Sequence, residues 1–192
     1  MRYPPDQKAK ARAAMLQAGA RALRKNGFNG VGVDGLAAAA GVTSGAFYSN
    51  FANKEALLQD VVGECLGEPF MDAEGTVLER RQKLKEWLAT YISMAHRENP
   101  EFGCVMPTLS ADVARARPAV REIYSDRMDL LVDKIMQVLD GDEIERERRA
   151  WNIIALMVGA VSIAQAMSNP KSASAALGAA LASVTALIEP PL

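Results

Sequence analysis

Polar side chains crowd the twelve residues 43–54, among them Thr43, Ser44, Tyr48, Ser49, Asn50 and Lys54. Their hydroxyl, amide and ammonium groups suit hydrogen bonding to a polar polymer better than they suit catalysis. Gly45 and Ala46 lie among them, so the segment's outer face is small, polar and uncharged up to Lys54. Such a face can enter a DNA major groove, where the N-terminal residues of a helix approach base edges and Gly45 lets the backbone come close. Tyr48 and Asn50 carry groups able to bond bases or phosphates. Lys54, beside the N-terminus of the next helix, puts a cation and free amides where a phosphate could sit.

Little else in the chain points to other chemistry. His96 is the single histidine, so a histidine metal cluster is excluded, and no Ser-His-Asp or Cys-His set can be assembled. No enzyme, metal site or cofactor is expected. His96 near a helix end can stabilise that C-terminus or line a pocket. Cys65 and Cys104 lack metal-ligand spacing, and two cysteines without a secretory-signal pattern point to a reducing cytoplasm. Cys65 reads as buried packing. Cys104 lies between Gly103 and a helix opening near Met106, where helix N-terminal amides could lower a thiol pKa.

The elements that must position the polar face can be read directly. Val33–Ala40 is a short alanine-rich helix, and Gly41 stands where a helix end commonly takes positive φ. Val42 plugs the turn, and Thr43 or Ser44 can cap a second helix running to about Asn50. Leu36, Ala37, Ala40, Val42, Phe47 and Phe51 form the buried side, and the alanines let two short helices cross closely. Asn53 reads as the N-cap of the helix that follows. A turn of this length between two helices suits a helix-turn-helix.

The Ala-Gly-Val turn, the Gly-x-Phe-Tyr sequence and Phe-x-Asn-Lys-Glu-x-Leu together resemble the TetR family of one-component transcriptional regulators. The resemblance is close over the first third of the chain, including Met15, Leu16, Ala22, Leu23, Gly27 and Phe28. The remainder agrees only in length and helical character. By position it implies base or phosphate contacts from Thr43, Ser44, Gly45, Tyr48 and Asn50, and a phosphate contact from Lys54. There are three departures. Val31 and Gly32 stand where a Thr or Ser usually opens the first helix of the motif, so Asp34 is expected to cap instead. Gly19 replaces an alanine at a cost of roughly 1 kcal/mol. Leu23 stands where an aromatic is more common.

Composition is that of a globular protein: 49% of the 192 residues are apolar and 23% charged. The net charge of −1 gives no hint of nucleic acid, but residues 1–60 carry eight Lys/Arg against four Asp/Glu. That excess of basic residues would assist DNA binding through counterion release. Met1–Pro5 can be a short arm toward the minor groove or a disordered terminus. Lys8, Lys10 and Arg12 line the start of a helix running to about Asn26, either near a DNA backbone or as a solvated face.

Beyond Leu58 the pattern is helical almost throughout, giving an all-α fold of about nine helices. Residues 1–60 form a three-helix helix-turn-helix DNA-binding domain, and residues 61–192 a helical ligand-binding and dimerisation domain. Expected helices run over about 53–67, ended by Pro69, then 76–97, 106–116, 118–139, 143–168 and 171–188. Ala150–Met167 lacks any charge, yet Asn152, Ser162, Gln165 and the preceding EIERERR argue against a membrane span. Residues 143–188 instead form a four-helix bundle with a second copy. The effector pocket is expected among Trp87, Tyr91, Met94, Phe102, Cys104, Met106, Leu109, Tyr124, Met128, Trp151 and Met157, although core packing is the commoner role for each.

The sequence thus implies a cytoplasmic homodimer, most simply a repressor released from a near-palindromic double-stranded operator by a small apolar effector. One alternative is redox or electrophile sensing through Cys104, near where some TetR-like sensors keep a cysteine. Another, of a different class, is an α-helical ligand-binding protein with a vestigial head.

Overall fold

The computed structural model describes residues 5–67, 70 and 74–189. The arm read at Met1–Pro5 falls outside them but for the backbone of Pro5, as do the side chain of Lys8 and the helix-ending Pro69. Among the described residues there are ten α-helices and no strand. They are α1 (Pro5–Asn26), α2 (Val33–Ala39), α3 (Ser44–Tyr48), α4 (Lys54–Cys65), α5 (Val77–Tyr91), α6 (Met94–Glu98), α7 (Met106–Val113), α8 (Pro118–Met136), α9 (Glu143–Ala166) and α10 (Pro170–Ile188). A 3-10 turn, Pro100–Phe102, precedes α7.

The count exceeds the expected nine because the segment read as one helix over 76–97 is two. The backbone leaves helical geometry at Ile92, and the Ser93 hydroxyl accepts from the His96 amide to start α6. A side-chain cap here competes with continuing the helix. His96 then takes a helix-end role: it is buried, and its Nδ1–H donates to the carbonyl of Tyr91, the last residue of α5, at 2.8 Å.

The chain divides into two compact units, and neither is a continuous stretch. One comprises the chain through Leu66 together with Pro100–Tyr124; the other comprises Gly67–Asn99 and Ser125 onward. In the first, α1 supplies Met15, Leu16, Ala20 and Leu23 to a core shared with Leu36, Phe47, Phe51, Leu57 and Leu58, all 5% exposed or less. Burying each of the larger side chains contributes about 1.5–3 kcal/mol. Gly19 belongs to this packing. A Cβ there would stand 2.7 Å from Leu57 Cδ2, so an alanine at that position would have to push the buried Leu57 side chain aside.

In the second unit α9 and α10 form the most extensive helix pair. α9 buries Ala150, Ile153, Ile154, Met157, Val161 and Ala164, while α10 buries Ala173, Leu177, Val184 and Ile188. Two arginines close their C-terminal ends. Arg97 donates to Ala164 O and Met167 O at 2.7 Å each, and the buried Arg149 donates to Leu187 O, Asp140 O and Glu189 O at 2.7, 2.7 and 3.0 Å. Those carbonyls would otherwise be helix-end or loop acceptors without partners.

Both helices have the length and apolar composition to cross a membrane, by those criteria alone. In α9 the apolar residues divide between a buried side and an outer side carrying Trp151, Leu156 and Ile163 at 40%, 36% and 54% exposure. The outer side of α10 carries Ala175, Gly178, Ala179 and Ala182 together with Ser172, Ser174, Ser183 and Thr185.

Candidate nucleic-acid interface

The turn between α2 and α3 forms as its residue types require. Gly41 takes φ +67°, and the amides of Gly41 and Val42 return to Ala38 O and Ala37 O at 3.0 and 2.9 Å. Thr43 is extended, and its hydroxyl accepts from the Ala46 amide at 3.2 Å. Thr43, not Ser44, is therefore the N-cap. Leu36, Ala37, Phe47 and Phe51 are buried, with Ala40 and Val42 partly so. Asn53 caps α4 through its side chain, which accepts from the Ala56 amide at 2.8 Å.

Asp34 does not cap α2. The N-cap is Gly32, which has no side-chain bond, and Asp34 Oδ1 instead accepts from the Ser44 hydroxyl at 2.5 Å. A carboxylate in the first turn of α2 thus reaches the first residue of α3. This contact spans ten residues and a turn, and no local pattern signals it.

The other polar groups of the face also have internal commitments. Ser49 Oγ donates to Gly45 O at 3.0 Å, and Asn50 Nδ2 donates to Ala46 O at 2.9 Å while its Oδ1 is buried. Tyr48 is 56% exposed, with its ring edge-on to Phe47 at 5.7 Å. Gly45 is exposed, and a Cβ on it would meet only the Thr43 hydroxyl at 3.8 Å, so packing within the chain does not demand glycine there. Ala46 is half-buried. The outer face of α3 is therefore small and fixed, with Tyr48 as its one large protrusion.

Lys54 holds the motif from behind. Its ammonium donates to Phe28 O at 2.7 Å and Val31 O at 3.1 Å, and lies 4.1 Å from the centre of the Phe28 ring. Phe28 is held from both sides, since its amide donates to Asp112 Oδ2 at 2.8 Å. The neighbouring Glu55 pairs with Arg117. The α1–α2 loop, the start of α4 and the α7 segment thus meet in one polar joint, although Asp112 lies more than eighty residues from Phe28 in sequence. Arg12, read as facing a DNA backbone or solvent, is engaged inside the unit. It donates to Asn50 O, pairs with Asp60 and lies 4.3 Å from the centre of the Phe51 ring.

The residues read as lining a pocket divide between the two units. Cys104, Met106 and Leu109 are buried in the first, where the half-buried Tyr124 shares a 2.7 Å hydroxyl contact with Ser110. Burial pushes the Tyr124 phenol pKa up, the Ser110 bond partly offsets this, and the nearby Cys104 adds to the rise. Phe102 is 70% exposed with the Arg21 guanidinium 5.4 Å from its ring centre, so it stands on the surface.

In the second unit Trp87, Tyr91, Met128 and Met157 are buried, Met94 is half-buried and Trp151 is on the outer side of α9. Phe70, which the sequence pattern did not single out, stacks on Trp87 at 5.4 Å. The row continues through Tyr91 to His96.

The geometry is that of a helix-turn-helix head carried by an otherwise helical chain. Residues 15–61 match the family model described as bacterial regulatory proteins, tetR family. No curated protein matches the chain significantly. Among solved structures, a TetR-family transcriptional regulator from Cytophaga hutchinsonii superposes with a TM-score of 0.75 at 18% identity, covering 98% of this chain and 96% of that one. The reduced form of Escherichia coli NemR gives 0.71 at 22%, covering 95% and 98%. Bacillus subtilis FadR in complex with stearoyl-CoA gives 0.65 at 15%, covering 92% and 99%. The head thus matches the TetR family model, and the chain as a whole shares the fold of TetR-family regulators.

Proposed function

We propose that the chain is a cytoplasmic homodimeric repressor that leaves a near-palindromic operator when a small apolar effector binds. Residues 1–60 act as the DNA-binding domain and residues 61–192 as the effector-binding and dimerisation domain. The observation that carries this reading is the exposed, uncharged outer face of α3, fixed by bonds from Arg12 and to Asp34 and by the Thr43 cap. A rigid small face suits base readout, because docking then orders few side chains.

Dimerisation through α9 and α10 is supported by the exposed Trp151, Leu156 and Ile163 of one and the small outer residues of the other. Added Cβ atoms at Gly159 and Gly178 would meet nothing within 4 Å, so packing within the chain gives no reason for glycine there. A helix from a second copy lying close against them supplies one. An apolar effector is supported by the buried Met and aromatic residues of the second unit, and FadR, a protein of the same fold, is seen with stearoyl-CoA. An effector that fits only a conformer with mis-spaced heads must weaken operator binding, and operator must weaken effector binding by the same factor. The joint at Phe28 ties residues 100–124 into the head and is a route for that coupling.

The experiment is footprinting of the purified protein on DNA flanking its own gene, across a salt series. A protected palindrome with a steep salt slope supports the reading. If selection from random DNA also yields no bound sequence, the reading fails in favour of a ligand-binding protein with a vestigial head. Tyr48→Ala separates the two, since a working regulator should lose roughly tenfold in operator affinity. A second reading, sensing through Cys104, is favoured by the likeness to NemR, whose structure is of a reduced form. Alkylated protein with unchanged DNA affinity would dispose of it.

A further inference from the structure

We propose that Asp34 and Ser44 form an acceptor-only reading edge that selects a cytosine amino group in the major groove, an inference that rests on the DNA-binding reading above. The Ser44 hydroxyl is 2.5 Å from Asp34 Oδ1, so its proton is committed to the carboxylate. Ser44 Oγ then offers only lone pairs outward. Asp34 is exposed, and among the described residues no lysine or arginine pairs with it. Its second oxygen remains an acceptor bearing negative charge.

This edge lies at the first residue of α3, the end of a recognition helix that approaches base edges. A carboxylate there is repelled by phosphate, so it gains nothing as a backbone contact. Of the major-groove hydrogen-bond donors, cytosine N4–H has an acceptor, guanine O6, on one side only and the non-accepting C5–H on the other, whereas adenine N6–H lies between the acceptors N7 and thymine O4. Acceptors facing acceptors repel, so cytosine is the better match. The same charge penalises sites that offer no donor, and selectivity comes at some expense of affinity.

The experiment is selection of bound duplexes from a library with randomised half-sites, using the full chain, Asp34→Asn and Ser44→Ala. The wild-type chain should enrich cytosine at one position in each half-site, by about tenfold over other bases. Asp34→Asn keeps an acceptor for Ser44 but loses the charge and adds a donor, so the preference there should fall to about twofold or less with other positions unchanged. Ser44→Ala retains the carboxylate but loses one acceptor of the edge, so cytosine should stay enriched there, less strongly than in the wild-type chain.

A cytosine preference unaltered in Asp34→Asn, or affinity lost equally for all sequences, would overturn the proposal and leave the contact as an interhelical bond only. Wild-type enrichment without cytosine would overturn it as well. Failure of the wild-type chain to bind any duplex in a salt-dependent way would instead overturn the DNA-binding reading, and this inference with it.

Discussion

The face of α3 and the outer sides of α9 and α10 are both exposed, but in opposite ways. On α3 the polar groups are held by bonds within the chain: Ser44 to Asp34, Ser49 to Gly45, Asn50 to Ala46. On α9 and α10 the exposed residues include large apolar and very small ones, with Trp151, Leu156 and Ile163 on one helix and Gly178 with its alanines on the other, beside polar residues such as Asn152 and Ser174. The first surface is rigid and wettable, which suits a hydrated, charged partner that can be released. The second surface gains stability by leaving water, which suits a permanent protein partner.

The largest effect is expected from charging the apolar surface. Gly178→Arg should leave each protomer folded, since a side chain there meets nothing of its own chain, yet burying the cation in the proposed interface should weaken dimerisation a hundredfold or more. Sedimentation should then show monomers with unaltered helical circular dichroism. Dimers of the variant at micromolar concentration would remove the contrast between the two surfaces.

A smaller loss, about 2 kcal/mol, is expected for Lys54→Met, which removes two bonds from an ammonium group to the α1–α2 loop. Chemical denaturation should register it, and a mere phosphate contact would leave stability in the absence of DNA unchanged. Arg12→Met should cost about 1–2 kcal/mol through the lost bond to Asn50 O and the lost stacking on Phe51, the half-exposed pair with Asp60 adding little. Its operator affinity should fall by more than its stability implies, because α3 is then less firmly held.

The smallest effect lies outside both surfaces. Hydrogen bonds from the Thr76 amide and hydroxyl hold the Glu79 carboxyl pKa below its ordinary value in the capping box of α5. A depressed folded-state pKa contributes stability that is present above the ordinary carboxylate range and is lost as pH falls through the folded value. Glu79→Gln should therefore flatten the acid side of the stability profile slightly and leave DNA binding untouched.

The motif was legible because it is local. Gly41 at positive φ, the Thr43 and Asn53 caps and the buried Leu36, Ala37, Phe47 and Phe51 each follow from residue type within one or two turns of chain. The body was legible only as helix. Its break at Ile92 is not announced by glycine or proline, and residues grouped as one pocket, such as Phe102 and Trp87, belong to different units.

Sequence alone therefore determined the all-helical class and the helix-turn-helix, because capping, turn geometry and helical periodicity act over a few residues. Tertiary structure decided which polar groups are already spoken for. The Ser44 proton goes to Asp34, the Lys54 ammonium to Phe28 and Val31, and the Phe28 amide to Asp112. It also changed the meaning of Gly19, which propensity counts as a cost and which leaves room for the Leu57 side chain. These assignments depend on distances between elements far apart in the chain, and only packing of the helices sets such distances.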